Sequence, residues 1–80
     1  MERPQLLTLF REMATEIAEK DFSEVTEDGV IAELGLDSLQ MLELVGAMER
    51  ELEVSVPDDE LVGIQTVQQL LDLVEKRKKA

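Results

Sequence analysis

The pair most able to do chemistry is Asp37-Ser38, set in the stretch AELGLDSLQMLELV at residues 32–45. A serine hydroxyl is a weak nucleophile until a neighbouring base takes its proton. The chain has no histidine, and no lysine lies near Ser38 in sequence, so a catalytic serine has nothing to activate it. Cysteine, tyrosine and tryptophan are absent too, which leaves few groups able to run acid–base or nucleophilic chemistry near neutral pH. Carboxylates are plentiful, but on a chain this acidic a pair of them is ordinarily a solvated face. The chain therefore reads as a non-enzyme, with no residue given a catalytic role.

Two local roles are open to Ser38, because a helix begins here and either residue of the pair can be its N-cap. If Asp37 caps, Gln40 stands three residues on and completes a reciprocal capping box. Ser38 is then the first helical residue, with its hydroxyl exposed where the helix dipole and unpaired N–H groups favour a phosphate. If Ser38 caps, its hydroxyl is occupied by backbone and the serine is structural. Spacing alone leaves both open.

The helix that follows, residues 38–52, has an unusual wheel. Met41, Leu44, Val45, Met48 and Leu52 share one arc at core spacing. Leu39 falls nearly opposite that arc, beside Glu43, Gly46 and Arg50, and Leu42 falls towards Glu49 and Glu53. Isolated exposed leucines are common, and Leu39 could instead tuck against the preceding loop near Leu36. The alternative is a docking surface: Leu39 and Leu42 as apolar anchors, Gly46 permitting close approach, and Glu43 and Glu49 orienting a basic partner.

The other elements follow from periodicity. Leu6, Phe10, Met13 and Ile17 mark the inward face of a first helix over residues 4–19, with Pro4 suited to its first turn and Leu7 and Leu9 widening the stripe. The periodicity fades over residues 20–37, a loop anchored by Phe22, Val25, Ile31 and Leu34, with one short helical turn near residues 28–33. Pro57-Asp58-Asp59 opens a short third helix that Gly63 ends. Thr66 and Gln69 form a capping box for the last helix, which carries Val67, Leu70, Leu71 and Val74 inward. The expected fold is all-α: a small four-helix bundle of three longer helices and one short one, with a long loop between the first and second, as a single domain over residues 1–80.

Composition narrows the function classes. At 80 residues and 44% hydrophobic, the chain can bury one small core. A net charge of -11 argues against nucleic acid, whose binding depends on clustered Lys and Arg, and favours basic partners. The one basic run, EKRKKA at residues 75–80, reads as a solvated helix end whose cations suit the dipole. An EF-hand counted from Asp21 puts Thr26 where glycine is needed and Ala32 where the bidentate glutamate belongs, so no metal site is assigned. No stretch is apolar enough to span a membrane, and residues 1–4 do not begin a signal peptide. A cytoplasmic, monomeric protein is expected, free of disulfides and stabilised by mild acidification that relieves crowded carboxylates before deeper acid removes useful pairings.

ELGLDSLQMLELV, AMERELEVSVPDDEL and TVQQLLDLV together resemble the acyl carrier protein family of fatty acid and polyketide synthesis, over residues 6–74. The resemblance implies a four-helix carrier in which Ser38 is the attachment point of 4'-phosphopantetheine, flanked by Asp37 and Leu39. It implies that a separate magnesium-dependent phosphopantetheinyl transferase donates the arm from coenzyme A, and that the arm's thiol carries acyl groups as thioesters. Partners would be acyl-loading enzymes, ketosynthases or other biosynthetic enzymes with basic and apolar patches, docking on Leu39, Leu42, Glu43, Gly46 and Glu49. Gln40 and Arg50 depart from the acids usual in bacterial fatty-acid carriers. Leu36, in G-L-D-S-L, leans towards a discrete polyketide or hybrid carrier, with fatty-acid synthesis close behind. A peptidyl carrier of nonribosomal synthesis is the less favoured relative, and a helical adaptor without a prosthetic group is the reading from a different class.

Overall fold

The computed structural model describes residues 2–78. Its α-helices are α1 (Arg3–Ala18), α2 (Ser38–Leu52) and α3 (Val67–Lys78), with single 3-10 turns at Ile31–Leu34 and Asp58–Leu61. Among the described residues there is no strand, only an isolated antiparallel bridge between Val30 and Thr66. The all-helical bundle and its three longer helices are as expected. The short third helix is no more than a 3-10 turn. Pro57 and three acids suit a first turn, but the helix stops at Leu61, flanked by Glu60 N–H to Pro57 O on one side and Ile64 N–H to Leu61 O on the other. One turn is too short to repay helix nucleation by itself.

Three stripes converge on the core. Leu6, Phe10 and Ala14 from α1 are buried, as are Leu44, Val45, Met48 and Leu52 from α2 and Val67, Leu70, Leu71 and Val74 from α3. Each fully buried Leu or Phe is worth about 1.5–3 kcal/mol over leaving it in water. On α1 the inward row steps by four, so Ala14 sits at the centre while Met13 and Ile17 are half-buried at its edge. Met41 on α2 is likewise only half-buried.

Between α1 and α2 the chain must satisfy a long run of backbone polar groups without a helix. It does so on the first turn of α3. Val67 N–H donates to Gly29 O at 3.0 Å, Gln68 N–H to Glu27 O at 3.0 Å, and Ile31 N–H to Gln65 O at 2.9 Å. The Thr66–Gln69 capping box takes the next donor, with Gln69 N–H on Thr66 Oγ1 and Thr66 N–H on Gln69 Oε1. Phe22 and Ile31 are buried, Val25 and Leu34 half-buried, and Leu36 joins them at 8% exposed. Arg11 Nε donates to Val25 O at 2.7 Å, which pins the loop to α1 as well.

Charge ties the ends together. Arg3, one residue before Pro4, reaches Glu27 at 2.8 Å, Asp72 at 2.5 Å and Glu75 as well, joining α1, the loop and α3. Partial burial opposes its charge, but hydrogen bonds to Asp72 and Glu27 outweigh that and raise the guanidinium pKa. The basic end of α3 is less idle than expected: Arg77 pairs with Glu60, and Lys78 Nζ donates to Leu52 O at 3.2 Å. The run's last two residues, 79–80, lie outside the described residues.

Both longer N-terminal helices end on a glutamate in the left-handed region, Glu19 at φ 56° and Glu53 at φ 58°. That conformation costs a side-chain-bearing residue about 1–2 kcal/mol, and a carboxylate at a helix C-terminus also opposes the dipole. Glu53→Gly should therefore raise stability by about 1 kcal/mol, equivalent to roughly 4–8 °C in Tm for a domain of this size, read by thermal melts monitored by circular dichroism.

Stability should pass through a maximum on the acid side of neutrality. Protonating crowded carboxylates relieves self-repulsion at a net charge of -11. Further acid then removes the carboxylate partners of Arg3 and the Asp21 turn. The Asp21 side chain accepts from Ser23, by its side chain and by its N–H at 2.8 Å, and these bonds hold its carboxyl pKa below the ordinary value. A depressed carboxyl contributes stability that is present above its unfolded pKa and lost as pH falls through the lowered one. Melts at stepped pH should rise slightly and then fall; a monotonic decline from neutral pH would contradict this.

Candidate functional site

The loop's anchoring decides the geometry of Asp37-Ser38. The 3-10 turn ends at Gly35, whose φ of 82° turns the chain back. A Cβ there would lie 2.7 Å from Lys20 Nζ, so glycine is favoured by conformation and the Lys20 side chain occupies the space. Leu36 then plugs into the core, which fixes Asp37 at the threshold of α2.

Asp37 is the N-cap. Its Oδ1 accepts from Gln40 N–H at 2.7 Å, and its own N–H donates to Gln40 Oε1 at 3.1 Å. The alternative in which Ser38 caps is excluded. Ser38 is the first helical residue and is exposed, and among the described residues its hydroxyl takes part in no hydrogen bond. The N–H groups of Ser38 and Leu39 likewise have no acceptor among the described residues, as the first donors of a helix do not. An accessible primary hydroxyl at the positive end of a fifteen-residue helix suits a phosphodiester linkage.

Beside Ser38 runs a groove of about 770 Å³ with walls that include Ile31, Leu36, Met41, Leu42, Leu61 and Ile64. Ser38, Asp37, Asp58, Gln65 and Thr66 supply its polar lining. This explains why Met41 is only half-buried: it faces the groove. Four large apolar side chains are exposed among the described residues, Val30 at 37%, Leu39 at 64%, Leu42 at 48% and Val62 at 85%. Three of them line this groove, and Leu39 adjoins Ser38 in sequence. Leu39 does not tuck against Leu36, which is buried while Leu39 stands in solvent.

The anticipated docking residues do not gather in one place, and Leu39 stands in solvent and lines neither this groove nor the next. Leu42, Glu43 and Gly46 line one smaller groove, of about 390 Å³, between α1 and α2. Glu49 lies apart from it, half-buried, with Oε2 accepting from Val56 N–H at 2.6 Å, where it ties the segment after α2 back to the helix. Val62 and Val30 join the apolar surface without having been anticipated; the signal that could have found Val62 is an apolar residue between an acidic turn and Gly63. Among the described residues no cluster of three or more carboxylates, histidines or cysteines is placed to hold a metal ion, and no helix is long and apolar enough to cross a membrane.

Comparison with known proteins gives the chain's family. The sequence profile of the family described as phosphopantetheine attachment site matches residues 8–74. The acyl carrier protein of Bdellovibrio bacteriovorus is 43% identical over 54 residues, covering 68% of this chain and 69% of the relative. An acyl carrier protein homolog of Mycoplasmopsis pulmonis is 29% identical over 65 residues, covering 81% of this chain and 89% of that protein. The crystal structure of the acyl carrier protein from Thermotoga maritima superposes with a TM-score of 0.90 at 37% identity, over 99% of this chain and 93% of the other. With a phosphopantetheine profile across most of its length and an acyl carrier fold at this similarity, the chain belongs to the acyl carrier protein family, whose prosthetic group is a covalently attached 4'-phosphopantetheine.

Proposed function

We propose that Ser38 carries the 4'-phosphopantetheine arm and that the chain delivers acyl groups, held on it as thioesters, to the enzymes of polyketide or fatty acid biosynthesis. The observation that carries this reading is the exposed, unbonded hydroxyl of Ser38 at the start of α2, released from capping by the Asp37–Gln40 box. Bound there, the arm supplies the thiol that the chain lacks.

The chain's own residues do the rest. Asp37 holds the first turn in place without consuming Ser38. In the loading reaction Ser38 Oγ forms a new P–O bond at the pantetheine-bearing phosphorus of coenzyme A. The pyrophosphate bond breaks, adenosine 3',5'-bisphosphate leaves, and the serine proton passes to a base of a magnesium-dependent transferase. No base is needed from a chain without histidine. The apolar walls of the adjacent groove, Ile31, Leu36, Met41 and Leu61 among them, offer an acyl chain a place out of water at about 25 cal/mol per Å² of apolar surface covered.

Docking falls to the second face of α2. Leu39 and Leu42 are exposed anchors, and Glu43 stands beside Leu42 to attract a basic partner. Gly46 keeps the helix low; a Cβ there would meet only Arg50 Nη1, at 3.8 Å. Glu49, at the C-terminal end of the same face, completes it through whatever its carboxylate offers beyond the Val56 bond. The transferase, an acyl-loading enzyme and a ketosynthase are the partners this surface suits, with the chain acting as a monomer in the cytoplasm.

Incubation of the unmodified protein with coenzyme A and a broad-specificity phosphopantetheinyl transferase should add the mass of one phosphopantetheine. Intact mass spectrometry with a working control carrier checks it, and a folded chain that gains nothing overturns the assignment. Ser38→Ala should abolish the gain while leaving helicity and Tm nearly unchanged, because Ser38 does not cap α2. Asp37→Ala should do the reverse in stability, costing about 1 kcal/mol by loss of the cap, while still accepting the arm.

A further inference from the structure

Arg3 is poorly placed for the helix it opens. A cation at a helix N-terminus opposes the dipole, and no acid stands in the first turn of α1 to offset it. Its partners lie elsewhere. Arg3 Nε meets Glu27 Oε1 at 2.8 Å, Nη2 meets Asp72 Oδ1 at 2.5 Å, and Nη1 meets Glu75. Asp72 and Glu75 stand three apart on one face of α3, where two carboxylates repel unless a cation lies with them. Nη2 also donates to Gln68 O at 3.2 Å. The guanidinium therefore holds Glu27 and Gln68, the same two residues whose backbones are joined by Gln68 N–H to Glu27 O. That bond is the first rung of a row that continues with Val67 N–H to Gly29 O and Ile31 N–H to Gln65 O. The far end of the row reaches the site, because Val30, Ile31, Gln65 and Thr66 line the groove beside Ser38. From Ile31, one 3-10 turn, Gly35 and buried Leu36 lead into Asp37.

Resting on the reading of Ser38 as the attachment serine, we infer that Arg3 is a positioning residue for the loading reaction. It bonds to neither Ser38 nor any residue of the groove. It locks the loop onto α3 at the first rung, and the later rungs fix the groove wall and the path into α2. Without it, Glu27, Asp72 and Glu75 are three carboxylates with no cation among them, and they push loop and helix apart at that rung. The row frays from there, and Ser38 Oγ spends less time aligned with the phosphorus it must attack. A transferase that grips the unaltered α2 still binds, so the loss falls on turnover. Lysine is no substitute, since a point charge on a flexible stem cannot meet three carboxylates and a carbonyl as a planar guanidinium does.

The test measures kcat and KM for loading of the unmodified full chain by intact mass, at a temperature where circular dichroism shows every variant folded. Arg3→Gln should lower kcat about 5- to 10-fold with KM within about two-fold. Arg3→Lys should recover only part of that loss, and Glu27→Gln, which frees the loop while leaving Arg3 on α3, should lower kcat about 2- to 3-fold. Lys78→Met, which removes the bond to Leu52 O at the other end of α3, should keep the parent kcat. Amide exchange followed by NMR should quicken about 10-fold at Ile31, Val67 and Gln68 in Arg3→Gln and hold at Leu44 and Val45. A folded Arg3→Gln that loads with the parent kcat overturns the role of Arg3 and leaves the carrier assignment standing, as does a Lys78→Met whose kcat falls equally. Where Arg3→Gln does not fold, Glu27→Gln at the parent kcat is the overturning result. A folded parent that accepts no arm overturns the carrier reading and this role with it.

Discussion

The first turn of α3 is where the loop, the site and the core meet. Its leading N–H groups point out of the helix with no intrahelical acceptor, and the long loop brings backbone carbonyls to them. Two needs cancel: α3 obtains its N-terminal partners and the loop obtains order that its own sequence cannot provide. The path to Ser38 follows from that stitch. Once Glu27 to Ile31 are fixed on α3, the chain has one 3-10 turn and Gly35 in which to reverse, and Leu36 has one place to bury itself. Asp37 then arrives at the start of α2 in the extended conformation an N-cap requires, with φ -86° and ψ 176°. A serine in a mobile loop would not hold its hydroxyl at a fixed angle to a helix face, as Ser38 does.

α2 is asked to be two things at once. One face packs Leu44, Val45, Met48 and Leu52 into the core, and the other keeps Leu39 and Leu42 in water. Leaving two leucines exposed forgoes burial worth a few kcal/mol in a domain whose entire stability is of order 5–10 kcal/mol. The chain offsets this elsewhere. Its core is continuous across three helices, Arg3 ties α1 to α3, and Glu49 and Lys78 secure the segment that follows α2. At a net charge of -11, like-charge repulsion between copies of the chain opposes self-association through the exposed leucines.

Much of this was legible from residue spacing, for physical reasons. Long amphipathic stripes declare helices, so α2 began and ended as expected and the inward residues of α3 were the expected four. The capping boxes at Thr66 and Asp37 were visible because they are local. What was missed depends on distant contacts. Leu36 has no periodic neighbours, and its burial is decided by the loop's path. Ala14 is too small to stand out in a stripe of larger residues, yet it is fully buried. Glu49 reads as a surface acid until Val56 is brought beside it by the turn after Glu53. Val62 is exposed because the segment around it closes as a 3-10 turn rather than a helix, which no count of acids and prolines distinguishes. The site's chemistry was harder still. Spacing left Ser38 between cap and anchor, and only the observed Asp37–Gln40 exchange separates the two.

The poverty of the chain in reactive side chains has a physical consequence once it is read as a carrier. A thioester is open to attack by thiolates and by imidazole, and an arm that swings over its own protein samples every nucleophile within reach. This chain has no cysteine and no histidine. The groove beside Ser38 is apolar where a cargo would lie, and its carboxylates, Asp37 and Asp58, are weak nucleophiles that also repel hydroxide. A composition without cysteine or histidine leaves a thioester on such an arm fewer neighbours able to attack it. On the proposed reading, reactivity belongs to the partners and the protein's task reduces to geometry: one exposed hydroxyl at Ser38, one apolar groove beside it, and one helix face that keeps Leu39 and Leu42 in water.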